Sequence, residues 1–199
     1  MNRLLTSILD FLFPPTKEAL ELRTIDTTNI FAKLPPASHT SLFAYQNPLV
    51  KELVWSIKYK KDRHALRCGG YALYTRMREM GYEGTLIPIP ISKKRRKERG
   101  YNQCELLIEE ILKLDTEKKF SKNFDLLIRT KHTERQTMKN REERLEGALN
   151  IFGVKITIPL DSRIIIIDDV TTTGSTLREA KKSLNEAGYM HVETLTLAH

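Results

Sequence analysis

Cysteine is scarce in these 199 residues: there are two, Cys68 and Cys104. Neither belongs to a C-x-x-C pair, and the five histidines are scattered. That argues against a disulfide scaffold and against a zinc site, so no zinc is expected and the two thiols read as buried core residues. Long apolar runs are missing too, and no stretch approaches the ~20 residues that a membrane-spanning helix needs. The leucine-rich start, Met1 to Phe13, is interrupted by Asp10 and lacks a small-residue cleavage pattern. A signal peptide is therefore not expected, and the compartment read from the sequence is the cytoplasm. There is no G-x-x-x-x-G-K and no G-x-G-x-x-G, which argues against P-loop and Rossmann-type nucleotide binding. The chain has one tryptophan, Trp55. With no second aromatic at regular spacing from it, Trp55 reads as core rather than as a base-stacking residue.

What is abundant is positive charge. Lys and Arg number 33 against 25 Asp and Glu, a formal charge of +8. Such an excess favours anionic partners: nucleic acid, phosphorylated metabolites or acidic proteins. Charge alone does not choose among them.

The first ~45 residues hold a short amphipathic stretch, then Pro14-Pro15 and Pro35-Pro36, and read as an appendage or edge element. From Asn47 the pattern is clearer. Asn47 caps a helix with Pro48 at its first position, and Leu49, Val50, Leu53, Val54 and Ile57 form one apolar stripe. A second helix is predicted from about Arg63 to Met80, stopped by Gly81. Thr85 to Ile91 reads as a short strand, Lys93 to Arg99 as a basic loop, and Asn102 to Leu114 as a helix. Asp125 to Arg129 reads as another strand, and the polar stretch Thr130 to Glu146 as a long mobile loop. Ile164 to Ile167 is an apolar strand suited to the covered centre of a parallel sheet. A helix from Thr176 to Ala187 and a strand near His191 to Leu197 complete the chain. Strands alternating with helices define an α/β domain with a mainly parallel sheet.

The segment Ile164 to Thr176 carries the chemistry. Its strand leads to the carboxyl edge of the sheet, where open α/β folds bind ligands. Asp168 and Asp169 emerge there as adjacent acids, and two carboxylates suit the two hydroxyls of a vicinal diol. Thr171, Thr172, Thr173, Gly174, Ser175 and Thr176 follow: hydroxyls, with a glycine that permits close backbone approach, opening onto a helix. Thr176 and Glu179 have the spacing of a capping box. Free amides and hydroxyls at a helix start form an anion site. A diol binder a few residues from a phosphate cradle describes a ribose 5-phosphate.

This segment resembles the phosphoribosyl pyrophosphate motif of type I phosphoribosyltransferases. Leu86-Ile-Pro-Ile-Pro90, the basic run to Arg99-Gly100-Tyr101-Asn102-Gln103, Ile57-Lys58-Tyr59-Lys60, and Arg129, Thr133, Gln136, Arg141, Arg144 and Gly147-Ala148 narrow the likeness. Together they resemble the ComF family of competence proteins from about Leu49 onward. The resemblance implies a type I phosphoribosyltransferase fold over residues 46–199, with residues 1–45 as a small amino-terminal appendage. Family members usually begin with a cysteine-rich zinc segment after Phe-Pro. Here Phe13-Pro14-Pro15 is followed by Thr16-Lys17, with no cysteine before Cys68.

The resemblance implies phosphoribosyl pyrophosphate as ligand, with Mg²⁺ carried on it. It also implies Asp168 and Asp169 on the ribose hydroxyls and the turn from Thr171 to Thr176 on the 5-phosphate. Lys58, Lys93, Arg99, Arg141 and Arg144 are the candidates for pyrophosphate. For the basic run a nucleic-acid track or a solvated surface stands as the alternative. Arg135, Arg141 and Arg144 pair equally well with Glu134, Glu142 and Glu143 on a helical turn. In function the resemblance implies support of DNA uptake in natural transformation. Single-stranded DNA and competence-machinery proteins are the implied partners, met at the inner face of the membrane. The rival readings are a metabolic phosphoribosyltransferase and a non-catalytic ligand sensor. No catalytic residue is assigned.

Overall fold

Four consecutive isoleucines make a strand that must be covered on both sides, and the computed structural model shows how. It describes residues 15–34, 38, 40–130 and 151–199. Strand β6 runs over Ile164–Val170, with Ile165 and Ile167 in one apolar cluster and Ile164 and Ile166 in the other. β6 sits at the centre of a five-stranded sheet. Beside it lie β2 (Gly84–Pro88) and β7 (Val192–Ala198), and the edges are β3 (Phe120–Lys122) and β1 (Ser41–Phe43). The order is β1-β7-β6-β2-β3 and every pairing is parallel. β4 (Leu127–Arg129) and β5 (Phe152–Val154) form a separate antiparallel pair.

Helices cover both faces. Among the described residues these are α1 (Lys17–Thr24), α2 (Ile30–Lys33), α3 (Pro48–Trp55), α4 (Arg63–Glu79), α5 (Lys93–Arg99), α6 (Gln103–Leu114) and α7 (Ser175–Glu186). As expected, Asn47 caps α3, its side chain accepting from Leu49 N–H, with Pro48 at the first position. A five-residue π turn, Ser56–Lys60, then leads to Lys61 in the left-handed region at φ 50°. α4 and α6 cross closely because α4 carries Gly69 and Gly70 there. A Cβ added to Gly70 would lie 2.5 Å from Glu110 Cβ, an atom fixed to the helix backbone. Gly70→Ala should therefore lower stability by about 1–2 kcal/mol, the crowding outweighing the gain in helix propensity. At this chain length that is a fall of several degrees in the thermal midpoint.

Two expectations are corrected. The run Lys93 to Arg99 is a helix rather than a loop: Ser92 Oγ accepts from Arg95 N–H, and Gly100 at φ 79° closes the other end. Arg96 forms a two-pronged ion pair with Glu105 at 2.7 and 3.0 Å, tying α5 to α6. Trp55 is not core, since the residue is 47% exposed. Residues 1–45 were expected as an appendage or edge element, and the described ones supply an edge strand and part of the core. Leu22, Ile25, Ile30 and Leu34 belong to the main apolar cluster, and β1 pairs with β7 as an edge strand. Met1 to Phe13, and nearly all of the expected mobile loop at 130–146, lie outside the described residues. No helix among the described residues is long and apolar enough to cross a membrane.

Candidate functional site

From β2 the chain moves outward to β3, and from β6 it moves the other way to β7, so the order reverses between β2 and β6. Open α/β sheets bind ligands at the carboxyl ends of strands flanking such a point. The strand expected over Ile164 to Ile167 continues through Asp168 and Asp169, which places both acids at that edge with 8% and 3% of their surface exposed.

Each carboxylate is oriented by the chain itself. Asp169 N–H donates to Asp168 Oδ1 at 2.9 Å, and Val170 N–H donates to Asp169 Oδ1 at 2.9 Å. Cys104, at the start of α6, donates its thiol to Asp168 Oδ1 at 3.6 Å. Lys58, from the π turn, places Nζ 3.0 Å from Asp169 Oδ2. That contact is an ion pair by distance, yet its approach is not that of a hydrogen bond, and Oδ2 is buried with no hydrogen-bond partner. The Lys58 charge offsets the burial of that oxygen, which still lacks a well-aligned donor.

Two acids so close cannot both ionise freely. Burial, then the neighbouring charge of Asp169, pushes the Asp168 carboxyl up to about 8. Burial, then the charges of Asp168 and Asp169, raises the Cys104 thiol well above its usual range. Cys104 is therefore a protonated hydrogen-bond donor to Asp168, not a nucleophile. Its sulfur and the two carboxylates lie within 4.8 Å of one another. A thiol is a poor partner for Mg²⁺, which takes oxygen ligands, so the acids are the groups of this trio that suit it.

The turn after β6 holds the expected hydroxyls, but the capping box does not form. α7 begins at Ser175 with Gly174 as its cap at φ 70° and no side-chain hydrogen bond closing it. Ser175 N–H donates weakly to Thr173 Oγ1 at 3.4 Å, and the amides that follow it in the first turn suit an anion. Thr173 and Ser175 hydroxyls lie 3.0 Å apart, and Arg178 Nη1 donates to Thr173 O at 2.8 Å, bracing the turn one helical step on. Beside it is a cleft of about 430 Å³ bordered by Thr171, Thr173, Gly174, Arg178, Lys181 and His199. Arg178 and Lys181 escaped the sequence reading; their i+4 and i+7 spacing from Gly174 was the available signal.

Of the five cations considered for pyrophosphate, the three that are described, Lys58, Lys93 and Arg99, engage separate partners. Lys58 engages Asp169. Lys93 lines a cavity of about 740 Å³ at the end of β2, together with Pro90, Phe124, Leu127, Ile128 and Arg129. Arg99 is turned elsewhere, over the Tyr59 ring at 5.0 Å and onto Gln103 Oε1 at 2.9 Å. Arg141 and Arg144 lie outside the described residues. Arg129 donates to Pro90 O at 3.4 Å, and burial, then the charge of Arg95, lowers its basicity.

A parallel five-stranded sheet with two acids and a hydroxyl-rich turn at its switch point is the type I phosphoribosyltransferase fold. Among solved structures the chain is similar to the allosteric regulatory enzyme of purine biosynthesis (14% identity, TM-score 0.46, over 72% of this chain and 30% of that one). It is also similar to a hypoxanthine phosphoribosyltransferase from Staphylococcus aureus (16%, 0.36, over 74% and 63%). No family model matches. Among curated proteins, competence protein ComFC of Streptococcus pneumoniae is 34% identical over 163 residues, which is 80% of this chain and 67% of that protein. ComFC of Bacillus subtilis is 33% identical over 81% of this chain and 63% of its own length. Competence protein F of Haemophilus influenzae is 35% identical over 57% and 49%. The chain belongs to the ComF family of competence proteins.

Proposed function

We propose that this protein binds phosphoribosyl pyrophosphate, with Mg²⁺ carried on the pyrophosphate, and that it supports DNA uptake. The ligand reading is carried by one observation: Asp169 Oδ2 is buried without a hydrogen bond, next to a second acid and one turn before an uncapped helix start. A ribose hydroxyl satisfies that oxygen, Asp168 takes the adjacent hydroxyl, and the turn amides receive the 5-phosphate. The residues thus fit the ligand. The role in uptake rests on membership of the ComF family, with single-stranded DNA and competence-machinery proteins as partners. Their meeting place would be the inner face of the cytoplasmic membrane.

The cavity beside β2 favours a second reading, a working transferase. Its apolar lining from Pro90, Phe124, Leu127 and Ile128 has room for a planar acceptor, with Arg129 at its side. Incubating the pure protein with the Mg²⁺-bound donor separates the two readings. Pyrophosphate release that depends on an added base or amine establishes transfer. Saturable donor binding without release establishes a ligand-regulated competence protein. Absence of donor binding overturns both.

A further inference from the structure

The exposed face formed by α3 and the π turn is unusual for what it leaves in water. Trp55 is 47% exposed and Tyr59 59% exposed, with ring centroids 6.0 Å apart. Each ring has a cation at its face: Lys60 Nζ lies 4.3 Å from the Trp55 ring and Arg99 lies 5.0 Å from Tyr59. Lys61 stands 5.4 Å from Tyr101, the next ring along. Of these cations, Lys60 is paired with Glu52 at 3.2 Å. Arg99 and Lys61 have no carboxylate in ion-pair range among the described residues.

We infer that Trp55 and Tyr59 form a stacking platform for the bases of single-stranded DNA, with Lys60, Lys61 and Arg99 taking the adjoining phosphates. Two large rings left in water cost burial energy that the fold does not recover. Every base offers a flat face to such rings, and the flanking cations match the charged backbone between bases. An acidic protein segment would use the cations but gain little from two exposed ring faces. The platform is built on the same turn as Lys58, whose partner is Asp169, and Tyr101 Oη donates to Ile57 O and Lys58 O at 3.0 Å. It is nevertheless separate from the donor site and needs no donor.

Because Trp55 is the only tryptophan, its fluorescence reports the contact directly. The test titrates the full chain, without donor, with oligothymidylate and with an abasic strand of equal length. Oligothymidylate should quench Trp55 and bind more tightly than the abasic strand. In Trp55→Ala/Tyr59→Ala, oligothymidylate affinity followed through a labelled strand should fall roughly 5- to 150-fold per stacked base lost. The preference over the abasic strand should vanish while the salt slope stays. Lys60→Ala/Lys61→Ala should instead flatten that slope by about 0.7 per phosphate contact. Strand binding that leaves Trp55 fluorescence unchanged, or an abasic preference that survives in the ring variant, overturns the platform and leaves the uptake role standing. Binding of an acidic peptide with the same quenching, and none by DNA, overturns it in favour of a protein partner. Donor binding measured separately on the ring variant should match the parent, so a failure here is distinct from a failure of the ligand reading.

Discussion

Asp168→Asn combined with Asp169→Asn should weaken donor binding by about 10² to 10⁴, since each hydrogen bond to a charged acceptor contributes roughly 1.5–3 kcal/mol. Asparagine keeps an oxygen for the N–H groups of residues 169 and 170 that now donate to the two side chains, so the local strand geometry should persist. What it removes is the charge that a ribose hydroxyl would meet and the partner of Lys58. The variant should therefore still melt cooperatively, the relief of two adjacent buried acids being set against the loss of the Lys58 ion pair. Calorimetric titration with the Mg²⁺-bound donor reads the affinity, and circular dichroism confirms the fold. Unaltered donor affinity in a folded variant would remove these acids from the site.

The second large effect is on pH. The Asp168 carboxyl sits at about 8 in the folded protein against an ordinary 3.8, raised by burial and then by Asp169. The folded state therefore holds a proton that the unfolded chain has lost across the window between those values. Stability from this group is present below about 4 and declines as pH rises toward about 8, by at most 1.36 kcal/mol per unit. Donor binding has the opposite sign. Two hydroxyl donors ask for two ionised acceptors, so binding expels the proton and affinity climbs with pH, by up to tenfold per unit, then levels off above about 8. The two acids titrate as a pair, and the pair's behaviour is what a measurement reads. The donor's own phosphate ionises near pH 6, so the share due to the protein is the part that Asp168→Asn abolishes. Binding isotherms between pH 5.5 and 9 that are parallel for parent and variant would show that Asp168 is already ionised in the free protein.

Much of this was written locally. The four isoleucines of β6, the acids after them and the hydroxyl turn are consecutive in the chain, so their periodicity and residue types announced a covered parallel strand ending in a ligand turn. The Asn47 cap, and the helix starting at Arg63, were legible for the same reason. Even the α5 helix had local markers, Ser92 before it and Gly100 after it. Its density of like charge suggested a solvated loop, and the Arg96–Glu105 pair that fastens it depends on where α6 lies.

Tertiary structure alone decided the rest, because it depends on groups distant along the chain. β1 is three residues long with no periodicity to read, and its place in the sheet comes from β7, across a hydroxyl contact between Ser41 and Thr196 spanning 155 residues. Trp55 lies off the apolar stripe of Leu49, Val50, Leu53 and Val54 that α3 buries, and that placement decides its exposure. Trp55 closes α3 and Tyr59 lies in the π turn that follows, and both rings are exposed. Within the site, the amino-acid sequence by itself determined which carboxylates would stand at the sheet edge. That Lys58 and Cys104 meet them, that Asp168 keeps its proton and that Asp169 Oδ2 lacks a hydrogen bond follow from desolvation and packing around that edge. Those are properties of neighbours in space, which no spacing in the chain encodes.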